Sequence, residues 1–217
     1  MFKFIQDLLK SPKLSKLKPL NDGVGAELGR IELVPHDPRW VDVFECDKEM
    51  LLRRFWTKRN GLQIHHVGST AIPTVSEAKP VMDYLITAKD QWLMSTLNWM
   101  SCIIEEDGFW QEGDSYSPTN IGFDYMLQPV FMDKSCREFR NLLHFDKTKD
   151  GAVAREMLNF KKYLTEHPEK AQEYVELKKR LMCKFPRDIQ QYSNNKKDFV
   201  DSVALSANRL YGRDNCK

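Results

Sequence analysis

Residues 64–86 read Ile64-His65-His66-Val67-Gly68-Ser69-Thr70-Ala71-Ile72-Pro73-Thr74-Val75-Ser76-Glu77-Ala78-Lys79-Pro80-Val81-Met82-Asp83-Tyr84-Leu85-Ile86. The order is an apolar strand, a Gly-Ser turn, a short connection and a second apolar strand that carries a single acid, Asp83. Two such strands build the core of a sheet, and the acid restricts how. An unpartnered carboxylate in a core costs several kcal/mol, so Asp83 must reach the solvent end of its strand, meet a cation or bind a metal. A Gly-Ser turn leaves backbone N–H groups free. Such a concavity followed by a carboxylate-bearing strand suits a nucleotide phosphate held beside a metal.

The rest of the chain supplies elements to cover that sheet. Asp37 as N-cap and Pro38 at the first helical position predict a helix to about residue 56, with Val41, Phe44, Leu51 and Phe55 as its apolar face. Strands are expected over residues 62–67 and 81–87, then a helix over 89–100 with Trp92, Leu93, Leu97 and Met100 inward. Gly108, Gly113 and Pro118 mark residues 107–120 as a loop. Further strands are expected over residues 123–132 and 141–147, joined by a polar turn at 133–137. From Val153 the period becomes helical, giving helices over 153–166, 169–184 and 195–211, separated by His167-Pro168 and by Pro186. The stripes Tyr174, Leu177, Leu181 and Phe199, Val203, Leu210 are assigned to the core. Strands first and helices last predict an α+β fold, a mixed sheet flanked by helices with a helical C-terminal third.

With 217 residues, 41% of them of apolar type and 29% charged, the chain has material for one well-buried core. A net charge of +2 gives no global case for nucleic-acid binding. No apolar run approaches the roughly 20 residues of a membrane span, and the start lacks a signal-peptide pattern. Cys46, Cys102, Cys136, Cys183 and Cys216 are odd in number and never spaced C-x-x-C, which predicts reduced thiols and a cytoplasmic protein. Residues 1–30 are expected to form a basic extension, with Lys3, Lys10, Lys13, Lys16 and Lys18 among leucines. They either pack loosely on a single domain of residues 31–212 or contact a protein or acidic surface.

The segment from His66 to Asp83 resembles the GrpB family, a branch of the polymerase β-like nucleotidyltransferase fold. The matching residues are His66 through Gly68, Ser69, Thr70, Ala71, Ile72 and Pro73, then Ala78, Lys79, Pro80, Val81, Met82 and Asp83. The likeness extends to Val34-Pro35-His36-Asp37-Pro38-Arg39-Trp40, to Leu143-His144-Phe145 and to the run from Phe160 to Tyr174, about residues 31–210 in all. It implies a nucleotidyltransferase-type sheet, a nucleoside triphosphate as ligand and Mg²⁺ or Mn²⁺ as cofactor. By resemblance Gly68, Ser69 and Thr70 grip the phosphates, Lys79 adds a point charge, and Asp83 is the metal ligand and catalytic acid residue.

Two departures bear on activity. Active transferases carry a second acid two residues from the first, but Val81 and Leu85 occupy those places here. The family resembles this chain in keeping one acid. Family members also carry His-x-His in the later strand, and only the second histidine, His144, is present, with Leu142 replacing the first. His144 and Asp146 share one strand face, so His144 is a candidate metal ligand or proton-transfer group and Asp146 a candidate ligand or a strand-end acid. Arg140 either reaches a phosphate or is solvated. His65 and His66 point to opposite faces, with His66 as a hydrogen-bonder behind the turn, and Lys196 matches a family lysine that follows Tyr192. Two functions follow: nucleotide binding with transfer of a nucleotidyl group to an unidentified acceptor, or a non-catalytic binding module, since GrpB-like domains also occur fused to dephospho-coenzyme A kinases.

Overall fold

A computed structural model of the chain describes residues 23–27, 29–54, 62–88, 110–111, 129–133, 138–145 and 151–212. In chain order these form β1 (Ala26–Glu27), β2 (Val34–Pro35), α1 (Trp40–Arg54), β3 (Leu62–Val67), β4 (Glu77–Ala78) and β5 (Met82–Ala88). They continue with β6 (Trp110–Gln111), β7 (Pro129–Asp133), β8 (Glu138–Phe145), α2 (Ala152–Glu166), α3 (Pro168–Lys184) and α4 (Ile189–Tyr211). A 3₁₀ turn, Ser69–Ala71, follows β3.

The sheet is mixed. Its order is β3-β5-β8-β7-β6, with β3 antiparallel to β5, β5 parallel to β8, and β8 antiparallel to β7. Alternation along β5 decides what each face receives. Tyr84 points to one face, where its hydroxyl donates to Asp47 of α1 at 2.6 Å and Phe44 and His66 stack at 5.0 Å. Leu85 points to the other, packing with Val67 against Ala154, Met157 and Leu158 of α2. Asp83 shares the face of Leu85, the face covered by the C-terminal helices. Those helices meet the turn directly: Ile72 and Val75 are buried among Leu164, Ala171, Tyr174, Val175 and Val203.

The α+β architecture and the strands around Asp83 agree with the sequence pattern, and several details differ. Asp37 does cap α1, its Oδ1 accepting from Arg39 N at 2.9 Å and its carbonyl from Trp40 N at 3.1 Å. Phe44 is buried as expected, with Trp40 one turn before it, whereas Val41 is exposed, and the Leu51 and Phe55 side chains lie outside the described residues. Leu210 is likewise exposed on α4. That helix begins at Ile189 rather than at residue 195, because Asp188 accepts from Gln191 N at 2.9 Å and supplies the cap. Asn194 to Lys197 thus lie inside the helix.

The expected helix over 89–100 and most of the loop at 107–120 lie outside the described residues. So do residues 1–22 of the basic extension. Its last part is built into the fold: β1 pairs with β8, Gly25 N donates to the Pro80 carbonyl at 2.7 Å, Ile31 N donates to the Pro186 carbonyl at 2.9 Å, and the Trp40 ring N–H donates to the Gly23 carbonyl at 3.2 Å. The folded unit therefore begins by Gly23, ahead of the edge expected at residue 30. Among the described residues no helix is long and apolar enough to cross a membrane.

Candidate functional site

The β3–β5 pairing places Val67 opposite Asp83, so the chain leaves β3 beside the carboxylate. Gly68 makes that possible. Its φ is +70°, and a Cβ there would sit 2.1 Å from Asp83 Oδ2, so only glycine allows the approach. The parallel pairing of β5 with β8 puts His144 opposite Leu85, one step along the same face, and His144 Nε2 lies 2.9 Å from Asp83 Oδ1. Of the three outcomes open to a lone acid, Asp83 takes a histidine partner and keeps part of its surface in solvent. Its other oxygen lies over Gly68. The second nitrogen of His144, Nδ1, is buried without a partner among the described residues.

Ser69 and Thr70 do different things. Thr70 is buried, its hydroxyl donating to the Val81 carbonyl at 3.2 Å. That uses its only hydrogen, so the contact with His66 Nε2 at 3.0 Å requires the ring to donate, fixing a neutral tautomer. Burial agrees, pushing the His66 pKa down to about 4, with the Lys161 charge adding to the shift. His66 is thus the hydrogen-bonder behind the turn, and the Thr70 hydroxyl faces the core. Ser69 instead faces the helices: Lys178 Nζ donates to its Oγ at 3.5 Å, and the Tyr174 hydroxyl is close enough for Ser69 to affect its ionisation.

Around this turn the C-terminal helices deliver lysines. Lys161 of α2 donates to the His66 carbonyl at 3.0 Å, and Lys178 of α3 donates to the Glu77 carbonyl at 2.5 Å. Lys178 is 2% exposed, and burial, aided by the nearby Lys196 charge and opposed by Glu77, lowers its pKa to about 7. Lys196 of α4 is half-buried, its Nζ 4.6 Å from the centre of the Tyr192 ring. Burial lowers its pKa while the Asp83 carboxylate pulls it back up. Tyr174, buried beside Ser69, is pushed up to about 12.

Asp83, His144, Gly68 and Ser69, named from the sequence, are thus brought together. Lys79 is half-buried in the connection between β4 and β5. Arg140 is the extra residue of β8 where the pairing with β7 shifts between Phe131 and Met132. The side chain of Arg140 and the whole of Asp146 lie outside the described residues. Lys178, Lys161 and Tyr192 were not singled out from the sequence. A signal for Lys178 was present: Ala171, Tyr174, Val175, Lys178 and Leu181 form one helical stripe with a lysine in an apolar seat.

The donor set is poor for a protein-held metal. Val81, just before β5, and Leu85 within it are apolar and buried, so neither neighbouring position on that face offers a second carboxylate, and among the described residues no three His, Cys, Asp or Glu side chains gather where an ion would fit. Asp83 alone supplies one oxygen, which does not hold Mg²⁺ without phosphate oxygens from a ligand. What the turn does offer is a hydroxyl and buried ammonium groups, a setting for an anion.

Comparison with known proteins gives the following matches. The family described as GrpB protein matches residues 30–205. The chain is similar to the UPF0157 protein YqkA of Bacillus subtilis, 28% identical over 86% of this chain and 50% of that protein, so it spans about half the length of that relative. It is also similar to the UPF0157 protein PA4798 of Pseudomonas aeruginosa, 30% identical over 85% of this chain and 72% of that protein. The glutamate-rich protein GrpB of Alkalihalophilus pseudofirmus is 29% identical over 83% of this chain and 97% of its own. The crystal structure of the conserved protein GrpB from Enterococcus faecalis superposes with a TM-score of 0.67 at 23% identity, covering 83% of this chain and 99% of that one, a likeness of fold.

Proposed function

Because the chain belongs to the GrpB family, we propose that it is a nucleotidyltransferase-type protein that binds a nucleoside triphosphate at the Gly68-Ser69 turn. The observation that carries this reading is the turn itself. Gly68 is held in a left-handed conformation against Asp83, and Ser69 is directed toward buried Lys178. A hydroxyl and an ammonium group at a tight turn suit phosphate oxygens. Lys79 and Arg140 are further candidates for phosphate contacts, while Thr70 fixes the turn through His66 and the Val81 carbonyl. Asp83 offers one oxygen to a Mg²⁺ or Mn²⁺ ion that arrives with the phosphates.

In this reading His144, hydrogen-bonded to Asp83 at 2.9 Å, holds that carboxylate in orientation. Nucleotidyl transfer to an acceptor is the finer reading. The non-catalytic alternative draws support from the same strand, where buried Val81 and Leu85 stand in place of a second acid. A thermal-shift screen of nucleoside triphosphates with Mg²⁺ or Mn²⁺ tests the binding, since a ligand at a hundred times its Kd stabilises a fold by about 2.7 kcal/mol. Stabilisation by a nucleotide that disappears in Ser69→Ala supports the reading, and no shift with any nucleotide defeats it. Release of pyrophosphate during incubation with candidate acceptors separates the enzyme from the binding module.

A further inference from the structure

The C-terminal helices bring to Ser69 more charge and more polar groups than packing requires. Lys178 occupies a core seat on α3, its Nζ 3.5 Å from Ser69 Oγ, and Lys196 comes from α4 with its Nζ 4.6 Å from the centre of the Tyr192 ring, where its charge opposes that of Lys178. Tyr192, one turn before Lys196, is almost wholly buried, and among the described residues its hydroxyl has no hydrogen-bond partner. Its ring packs against Leu177 and Leu181 of α3, on either side of Lys178 in that helix. Phenylalanine and methionine would pack these seats without stranding a hydroxyl or opposing two ammonium groups. The cost is understandable if a ligand with several acceptor oxygens and about two negative charges completes the cluster.

We infer that Ser69, Lys178, Lys196 and Tyr192 form a site for the terminal phosphoryl group of a polyphosphate, engaged without metal and built by the C-terminal helices rather than by the acid-bearing strand. This rests on the nucleotide reading above and adds which end of the ligand the helices hold. A terminal phosphoryl group carries about −1.5 to −2 charge and three acceptor oxygens. It satisfies both ammonium groups and gives the Tyr192 hydroxyl an acceptor. The groups facing Lys178 are Lys196 from α4, Glu77 from β4, His36 from the segment after β2 and Tyr174 on its own helix. Of these only Glu77 is anionic, and it is already paired with Lys179 at 2.7 Å. An arriving anion therefore draws a proton onto Lys178.

Calorimetric titration of the full chain with pyrophosphate and with tripolyphosphate, in EDTA, tests the site. Saturable binding is expected, weakened about tenfold or more by Lys196→Met. Tyr192→Phe should weaken it severalfold without lowering the unfolding midpoint, because the hydroxyl has no partner to lose. At pH 8 the binding heat should change with the buffer's ionisation enthalpy, and the full chain should take up more protons on binding than Lys178→Met does, the ligand's own protonation being common to both. Absence of binding by either anion, or binding indifferent to Lys196→Met, overturns the inference. If polyphosphate binds as expected but nucleoside triphosphates bind no better and Asp83→Asn changes nothing, the helical site stands and the nucleotide reading falls. If nucleotide binds in an Asp83-dependent way while Lys196→Met is neutral, the nucleotide reading stands and this one falls.

Discussion

Gly68 excludes a side chain for two separate reasons, its positive φ and the Asp83 carboxylate packed on its α-carbon. Gly68→Ala must strain the backbone and push Asp83 away from His144, so a loss of about 2–4 kcal/mol is expected from the denaturation midpoint. A wild-type midpoint in that variant would mean the turn is not built as described. Asp83→Asn keeps the shape and an oxygen that accepts from His144 Nε2, so stability should change by no more than about 1 kcal/mol. Metal-dependent nucleotide affinity should be lost, and large destabilisation with affinity intact would make Asp83 a scaffold residue. His66 sets an acid limit. Its folded pKa of about 4 lies below the ordinary 6.5, so between those values the unfolded chain binds the extra proton and stability falls as pH drops. The shift amounts to about 3 kcal/mol, visible as a lower urea midpoint at pH 4.5 than at pH 7, and equal midpoints would refute it. The lone acid on an apolar strand was legible because charge in a core demands a partner. Lys178 was not, because a lysine on a helix is ordinarily solvated and only its seat among Ala171, Tyr174 and Leu181 betrays it.

Elements with a long period were the readable ones. β3, β5, α2 and α3 fall close to their expected limits, since each repeats its pattern several times and is bounded by Gly or Pro. β1, β2 and β4 have two residues each, too few for any alternation, and they arise from tertiary pairing alone. The start of α4 was misplaced because a polar stretch from Gln190 to Asn195 hides the cap at Asp188. Asp188→Ala removes the acceptor for Gln191 N and should cost about 1 kcal/mol. Because α4 carries Tyr192 and Lys196, polyphosphate affinity should fall with it if the first turns fray. An unchanged unfolding midpoint would show that packing, not the cap, holds that end.

At the scale of the molecule, residues 23–31 stitch the front of the chain to the β4–β5 connection, the edge of β8 and the loop after α3. Val24, Ala26 and Ile31 are buried, and together they represent about 2–4 kcal/mol of apolar burial. Extending a deletion of residues 1–22 to residue 31 should lower the unfolding free energy by that further amount; equal midpoints for the two truncated chains would make the stitching superficial. The mixed sheet with a helical C-terminal part was foreseeable from the change of period at Val153. The path by which distant segments meet was not, because nothing local encodes it. The site gathers Asp83 with His144, 61 residues on, and Ser69 with Lys178, 109 residues on. Contacts of such separation close only after the intervening chain has surrendered its freedom, which makes them slow to form. During synthesis the turn and the acid emerge long before the helices that bring the lysines, so the meeting of Ser69 with Lys178 is a late event of folding, and a ligand held there as proposed recognises only the folded domain.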